Sequence, residues 1–355
     1  MRIKIASLVI ATSLLAVACG GGTTSPSTAP TASTAASASA AAGTLPKPEL
    51  TTIRIGISAP TEPVQYAEKL ADQLGYYKEL GFNSVTITGF EGDGKALQAL
   101  VAGQLDFFVG GSSTAISSQL TDTPVKVISM NSVLNTDGLY CKAAIKTGAD
   151  VKGKSIAIST FGGTSHGSAL IAAGLLGYTS KDVVIKEVGN EGTRVAALKG
   201  GSVDCAVIGL QQDDAMKAAG LNLIVDVTKG GQWGRSGLMA RTDFIQKNPN
   251  TVLNVVAAAV RAQNYMWTNN ADAAPKFADW SQQKPDAAAL AIKQFPDYGL
   301  RSMIFTVEAF KAPQQVLAAV NPPVANVDLT KCFDLSFLQK LQDNGFYAKY
   351  SIPTK

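Results

Sequence analysis

Short apolar runs alternate with stretches of helical spacing along most of this chain. Ile53, Ile55 and Ile57 alternate with Arg54 and Gly56, which predicts a first strand. Apolar residues at helical spacing predict a helix over residues 66–80, stopped at Gly81. Residues 85–88, 107–109 and 125–130 are further strands, with helices over 94–102 and 114–120 between them. The pattern then starts again. Residues 156–158, 183–185, 206–208 and 223–225 are strands, with helices over 168–176 and 213–219 among the segments between them. A long amphipathic helix follows over 250–268, with further helical pieces to about Asn344. Such alternation implies an α/β fold with a parallel, doubly wound sheet.

One phrase occurs twice. Residues 99–109 run from a helix end through Gly103 and Asp106 into the apolar strand Phe107-Phe108-Val109. Residues 197–208 repeat it through Gly201 and Asp204, and Asp204 follows Asp106 by 98 residues. Each glycine stands where a helix end needs positive φ, and each aspartate precedes a buried strand. The repeat predicts two lobes of similar build. We expect residues 51–138 plus 242–355 to form the first lobe and 139–241 the second. The chain would cross between them near residues 139–144 and again near 238–241. Two crossings make a hinge suited to closure around a ligand.

The amino terminus reads as an address. Arg2 and Lys4 are followed by an apolar stretch too short to span a bilayer. The stretch ends Leu15-Ala16-Val17-Ala18-Cys19 and resembles a bacterial lipobox, with Ala16 where a larger aliphatic residue is usual. Residues 1–18 would be a signal peptide and Cys19 the lipidated residue. Residues 19–50 are mostly Gly, Ser, Thr, Ala and Pro, a composition that buries no core. As a coil, such a tether spans roughly 30 Å.

Composition narrows the chemistry. The 355 residues are 46% hydrophobic and 16% charged, enough for two lobes with cores. No basic stripe invites nucleic acid. A single histidine, His166, rules out a His-rich metal site, and neither metal nor cofactor is expected. Cys141, Cys205 and Cys332 allow at most one disulfide within the folded part and contain no CxxC spacing. Cys205 lies in an expected buried strand and reads as a small hydrophobe.

Four phrases in order resemble extracytoplasmic solute-binding proteins of ABC importers, in the nitrate, sulfonate, taurine and thiamine-precursor branch. They are residues 100–106, residues 150–157 (Asp-Val-Lys-Gly-Lys-Ser-Ile-Ala), residues 160–166 (Thr-Phe-Gly-Gly-Thr-Ser-His) and Asn248-Pro249. The resemblance covers about residues 51–346. It implies a two-lobed periplasmic-binding-protein fold of type II, a small-molecule solute and ABC permease subunits as partners. A lipid anchor would hold this monomer at the extracytoplasmic face of the cell membrane. A sensor subunit, or an enzyme on the same fold, is the competing expectation.

In such a fold the cleft is lined by loops after strands and by helix starts, whose free N–H groups suit an accepting group. Ser112, Ser113 and Thr114 are candidates in the first lobe. Gly163, Thr164, Ser165 and His166 are their counterparts in the second. Ser58, Thr61 and Glu62 stand in the loop after the first strand. Phe90, Phe161 and Trp233, with Tyr66, are candidates for an aromatic box. Gln211 is placed to read a polar edge, and Arg235 to clamp a carboxylate or sulfonate. Glu62, Glu91 and Glu191 would penalise a purely anionic solute. An organic solute with an accepting end and a flat or apolar body is therefore expected over nitrate or bicarbonate.

Overall fold

Two five-stranded sheets organise the chain, and both have the same build. The structure is a computed structural model, described here over residues 43–354; the expected signal peptide over residues 1–18 and Cys19 lie outside the described residues. The first sheet contains β1 (Thr52–Ile57), β2 (Ser84–Gly89), β3 (Phe107–Gly110), β4 (Val125–Leu134) and β10 (Gln232–Arg241), in the order β2-β1-β3-β10-β4. The second contains β5 (Asp137–Cys141), β6 (Ser155–Ile158), β7 (Val184–Glu187), β8 (Cys205–Gly209) and β9 (Asn222–Asp226), in the order β7-β6-β8-β5-β9.

Helices fill the connections. In the first lobe these are α1 (Ala67–Gln73), α2 (Tyr76–Glu79), α3 (Asp93–Val101) and α4 (Ser112–Ser118). In the second they are α5 (Thr164–Leu175), α6 (Glu191–Lys199) and α7 (Asp213–Ala218). After the chain returns come α8 (Thr242–Lys247), α9 (Pro249–Thr268), α10 (Asn270–Ser281), α11 (Pro285–Gln294), α12 (Glu308–Ala318), α13 (Ser336–Asp343) and α14 (Phe346–Lys349). The helix expected over 66–80 is two helices, because Gly75 takes φ 74° and breaks the run. No described helix is long and apolar enough to cross a membrane.

Each sheet has a parallel heart, as β/α alternation requires: β2-β1-β3 in one and β7-β6-β8 in the other. Each also holds one strand of the opposite sense. β5 runs antiparallel to β8 and β9, and β10 antiparallel to β3 and β4. These are the first strands formed after the chain passes from one sheet to the other. The passages lie at Asn135-Thr136, between β4 and β5, and at Gly231, before β10, not near residues 139–144 and 238–241 as expected, because those stretches are already strands of the sheets they enter.

Period-two alternation builds the second core. Leu139, Cys141, Ile156, Ile158, Cys205 and Val207 pack on one face of the sheet, while Tyr140, Ala157, Ala206 and Ile208 pack on the other. Cys141 lies directly opposite Cys205 in the β5–β8 register, and the two form a disulfide. Cys205 is thus buried as expected but covalently paired rather than a free small hydrophobe. Cys332 is free and buried.

The repeated phrase does the same work in each lobe. Gly103 and Gly201 take φ 72° and 78°. Asp106 then accepts hydrogen bonds from the Arg54 amide at 2.8 Å and its guanidinium at 2.8 and 3.1 Å. Asp204 accepts from the Ser155 amide at 3.0 Å and hydroxyl at 2.8 Å, and from Lys142 at 3.1 Å. Each aspartate holds the neighbouring parallel strand in register. Residues 43–50 are not free tether. Glu49 caps α9 by accepting from the Asn250 and Thr251 amides, and Asn254 donates to the Pro46 carbonyl at 2.8 Å.

Glu68 on α1 is fully buried, and neither carboxyl oxygen has a hydrogen-bond partner. Burial pushes its pKa up to about 7. A carboxyl with a raised folded pKa contributes fully below its unfolded value of 4.5, and that contribution is lost as pH rises through 7. We therefore expect the urea midpoint to fall between pH 4.5 and 7 in the native chain and to fall less in Glu68→Gln.

Candidate functional site

The repeat extends from strand register into the cleft. α3 and α6 each open with an acidic residue, Asp93 and Glu191, again 98 positions apart. Each carboxylate accepts the amide of the glycine that ends the next strand loop, Gly111 at 3.4 Å and Gly209 at 2.9 Å, which are likewise 98 apart. Both acids are buried at the carboxyl ends of their sheets, where α/β folds bind ligands. The fold therefore brings two related carboxylates to facing edges of one cleft.

They end differently. Glu191 stays within its lobe and accepts from Gln212 at 2.5 Å and from Gln211 at 3.5 Å. Asp93 reaches across. The same carboxylate oxygen that meets Gly111 accepts from Thr114 at 3.3 Å and from the amide and hydroxyl of Thr164 at 2.9 Å each. Beside it the Gly94 amide donates to the Thr160 hydroxyl at 3.1 Å. The approach is close because the facing positions are small. A Cβ at Gly111 would lie 1.9 Å from the Thr164 hydroxyl oxygen.

A buried cation sits between acids from both sides. Arg235 on β10 donates through Nη2 to Glu62 and, at 3.0 Å, to Asp137 on β5. Its Nε has no partner. Burial pushes the Glu62 carboxyl up to about 8, Arg235 pulling against it while Glu191 and Asp137 add to the rise. Burial works to lower the Arg235 pKa, yet Asp137 and Glu62 hold it above its ordinary value. Arg194, the second arginine here, spends its guanidinium on the carbonyls of Val207 and Gly189, at 2.8 and 2.9 Å. The space these groups enclose measures about 20 Å³, room for a water molecule or two. The lobes are closed on each other.

Several expected residues meet here. Ser58, Glu62, Thr164, Ser165, Glu191 and Arg235 line the cavity, and Thr114 backs it through Asp93. Ser165 accepts from the Ser159 amide at 2.8 Å. Arg235 is buried on β10, just after the passage at Gly231. Gln211 flanks Glu191, but Gln212 makes the shorter contact.

Others are drawn elsewhere by packing. Trp233 fills the second core and stacks over Gly167, where a Cβ would lie 2.2 Å from its ring. Tyr66 is in the first core, and Phe90 packs against that core. No aromatic box forms from these residues. Ser112 donates to the Ala309 carbonyl at 3.2 Å, and the Ser113 hydroxyl is buried without a partner. Thr61 offers only its carbonyl, to Gln283. Glu91 is half exposed and paired with Lys95. Gly163 is the residue before α5, with Asp93 beside it.

Phe161 and His166 line a different space, a groove of about 470 Å³ beside the cleft with Leu317 and Val324 on its far wall. Phe161 is 54% exposed and meets His166 edge to face. His166 accepts the Gly162 amide on Nδ1 at 3.1 Å, and burial pushes its pKa down to about 4, so it is neutral at pH 7. The smaller cleft is the better candidate because its polar groups converge from both lobes. The sequence pattern alone does not single out Asp93 or Asp137. Applying the 98-residue offset to Glu191 would find Asp93; nothing local marks Asp137. Among the described residues no cluster of three His, Cys, Asp or Glu could hold a metal ion.

Known proteins share this architecture. A protein of Brucella abortus (strain 2308), named only as a candidate binding protein, is 26% identical over 211 residues; the match covers 56% of this chain and 62% of that protein. The nitrate-binding protein of Synechocystis PCC 6803 superposes with a TM-score of 0.68 at 16% identity, covering 87% of this chain and 93% of the other. The alkanesulfonate-binding protein of Xanthomonas axonopodis pv. citri, solved with MOPS, gives 0.64 at 18% identity over 80% and 96%. At these identities the likeness is one of fold, the two-lobed periplasmic-binding-protein fold. The description of the NMT1/THI5-like family matches residues 66–273, more than half of the sequence, and the chain belongs to that family.

Proposed function

We propose that this chain is an extracytoplasmic solute-binding protein that captures a small organic solute between its lobes and delivers it to an ABC-type importer. The observation that carries the reading is the interlobe cleft. Buried polar groups from both sheets converge there, at the carboxyl ends of the strands, and two connections between the sheets allow it to open. The lobes would be built on the two sheets, so that β10 (Gln232–Arg241) falls to the first lobe and all of β5 (Asp137–Cys141) to the second, rather than divided at 138/139 and 241/242 as the sequence suggested. Ser58, Glu62, Thr164, Ser165, Glu191 and Arg235 would contact the solute once the lobes part.

Charge narrows the solute class. Asp93, Asp137 and Glu191, together with Glu62, whose carboxyl burial pushes toward its neutral form, face two arginines, one of them committed to backbone carbonyls. Such a cleft favours an organic solute with hydrogen-bond donors, such as an aminopyrimidine, over nitrate or bicarbonate. Sulfonates, aromatic compounds and flavins are the other organic classes to test. The chain would act as a monomer, anchored through lipid on Cys19.

Calorimetric titration with nitrate, bicarbonate, taurine, an alkanesulfonate, an aminopyrimidine and riboflavin tests the solute class. We expect heat from an organic compound at micromolar concentration. Binding of nitrate or bicarbonate alone would overturn the reading. For the anchor, Cys19→Ala should move the protein from the membrane fraction to the soluble fraction; equal membrane retention would refute lipidation.

A further inference from the structure

The carboxylate of Asp93 holds donors that converge between the two lobes. One oxygen gathers the Gly111 amide, the Thr114 hydroxyl, and both the amide and the hydroxyl of Thr164 at the start of the twelve-residue α5. Donors from both lobes therefore already share an anion, and that anion belongs to the protein. Glu191, its counterpart in the repeat, holds the equivalent glycine but makes no such bridge. The difference between two otherwise matched positions marks the bridge as something added to the glycine contact that both acids make.

We propose that Asp93 is a specificity-determining residue of the cleft: its carboxylate latches the lobes together before any solute arrives and keeps anionic solutes from the donors it holds. The proposal rests on the solute-binding reading above and deepens it. Three features of the cleft give it physical content. The bridging hydrogen bonds are buried, so breaking them without replacement leaves a charged acceptor without its partners. The glycines at 92, 94 and 111 let the second lobe approach closely, with Ser159, Thr160 and Thr164 on the other side. An entering anion would meet Asp93 at hydrogen-bond range of the same donors, with Glu62 and Asp137 engaged on Arg235 nearby. A solute that brings N–H donors meets no such opposition, because it adds donors where acceptors are in excess.

Small-angle scattering and calorimetry on the native chain, Asp93→Asn and Thr164→Val test the latch. Thr164→Val removes the bridging hydroxyl from the other lobe and leaves Asp93 intact, so a folding defect in one variant does not decide the matter. Without solute, the native chain should be the most compact, and both variants should show a larger radius of gyration. Ethanesulfonate should bind Asp93→Asn at least tenfold more tightly than the native chain. Equal radii in all three would overturn the latch, and equal ethanesulfonate affinity would remove Asp93 from specificity. The scattering comparison needs no solute, so a failure of the transport reading leaves it standing. Equal ethanesulfonate affinity, in turn, leaves the transport reading intact.

Discussion

The structure depends on one constraint: each sheet accepts a strand that arrives from the other sheet. β5 inserts between β8 and β9, and β10 inserts between β3 and β4. Both inserted strands run antiparallel to their neighbours, because the chain comes in from the side of the other lobe. Two consequences follow. The lobes are joined by short passages, and the inserted strands carry charged residues into the space between lobes. Asp137 is the first residue of β5, and Arg235 lies on β10 near its start. The ion pair between them therefore joins the two inserted strands.

α12 adds a second link. Ala309, Phe310 and Leu317 belong to the core of the first lobe, while Ala312 and Val316 pack against the core of the second. A single helix thus presents apolar residues to both cores. Rotation of the lobes must shear that contact or carry the helix along, and shear between packed side chains comes in small steps. The groove beside the cleft lies at the end of this helix.

Around Arg235 the buried charge is partly compensated. Burying Glu62, Asp137 and Arg235 without one another would be costly, and the shared guanidinium reduces that cost without abolishing it. The upward shift at Glu62 shows that burial outweighs the attraction of its cation. A cleft holding a carboxyl of this kind responds to any ligand that brings charge or donors, since the network must rearrange when one partner is displaced.

Local chemistry was enough to reveal the repeat. Gly103 and Gly201 need positive φ, and Asp106 and Asp204 need strand-edge donors, so the paired phrases were legible from residue type and spacing alone. Ser58, Glu62, Thr164 and Glu191 were singled out only through the family resemblance, and they line one cavity in the folded chain. The positions of β1, β3, β6 and β8 followed from hydrophobic alternation. The sense of β5 and β10 did not, because hydrophobic alternation carries no direction. Nor did the disulfide, since only the β5–β8 register sets Cys141 opposite Cys205. Trp233 and Tyr66 have the composition of a ligand box, but their rings fill cores that only the packed chain creates. Asp93 is one acidic residue at a helix start until Thr164 is folded against it from 71 positions away, and that contact belongs to the tertiary structure alone.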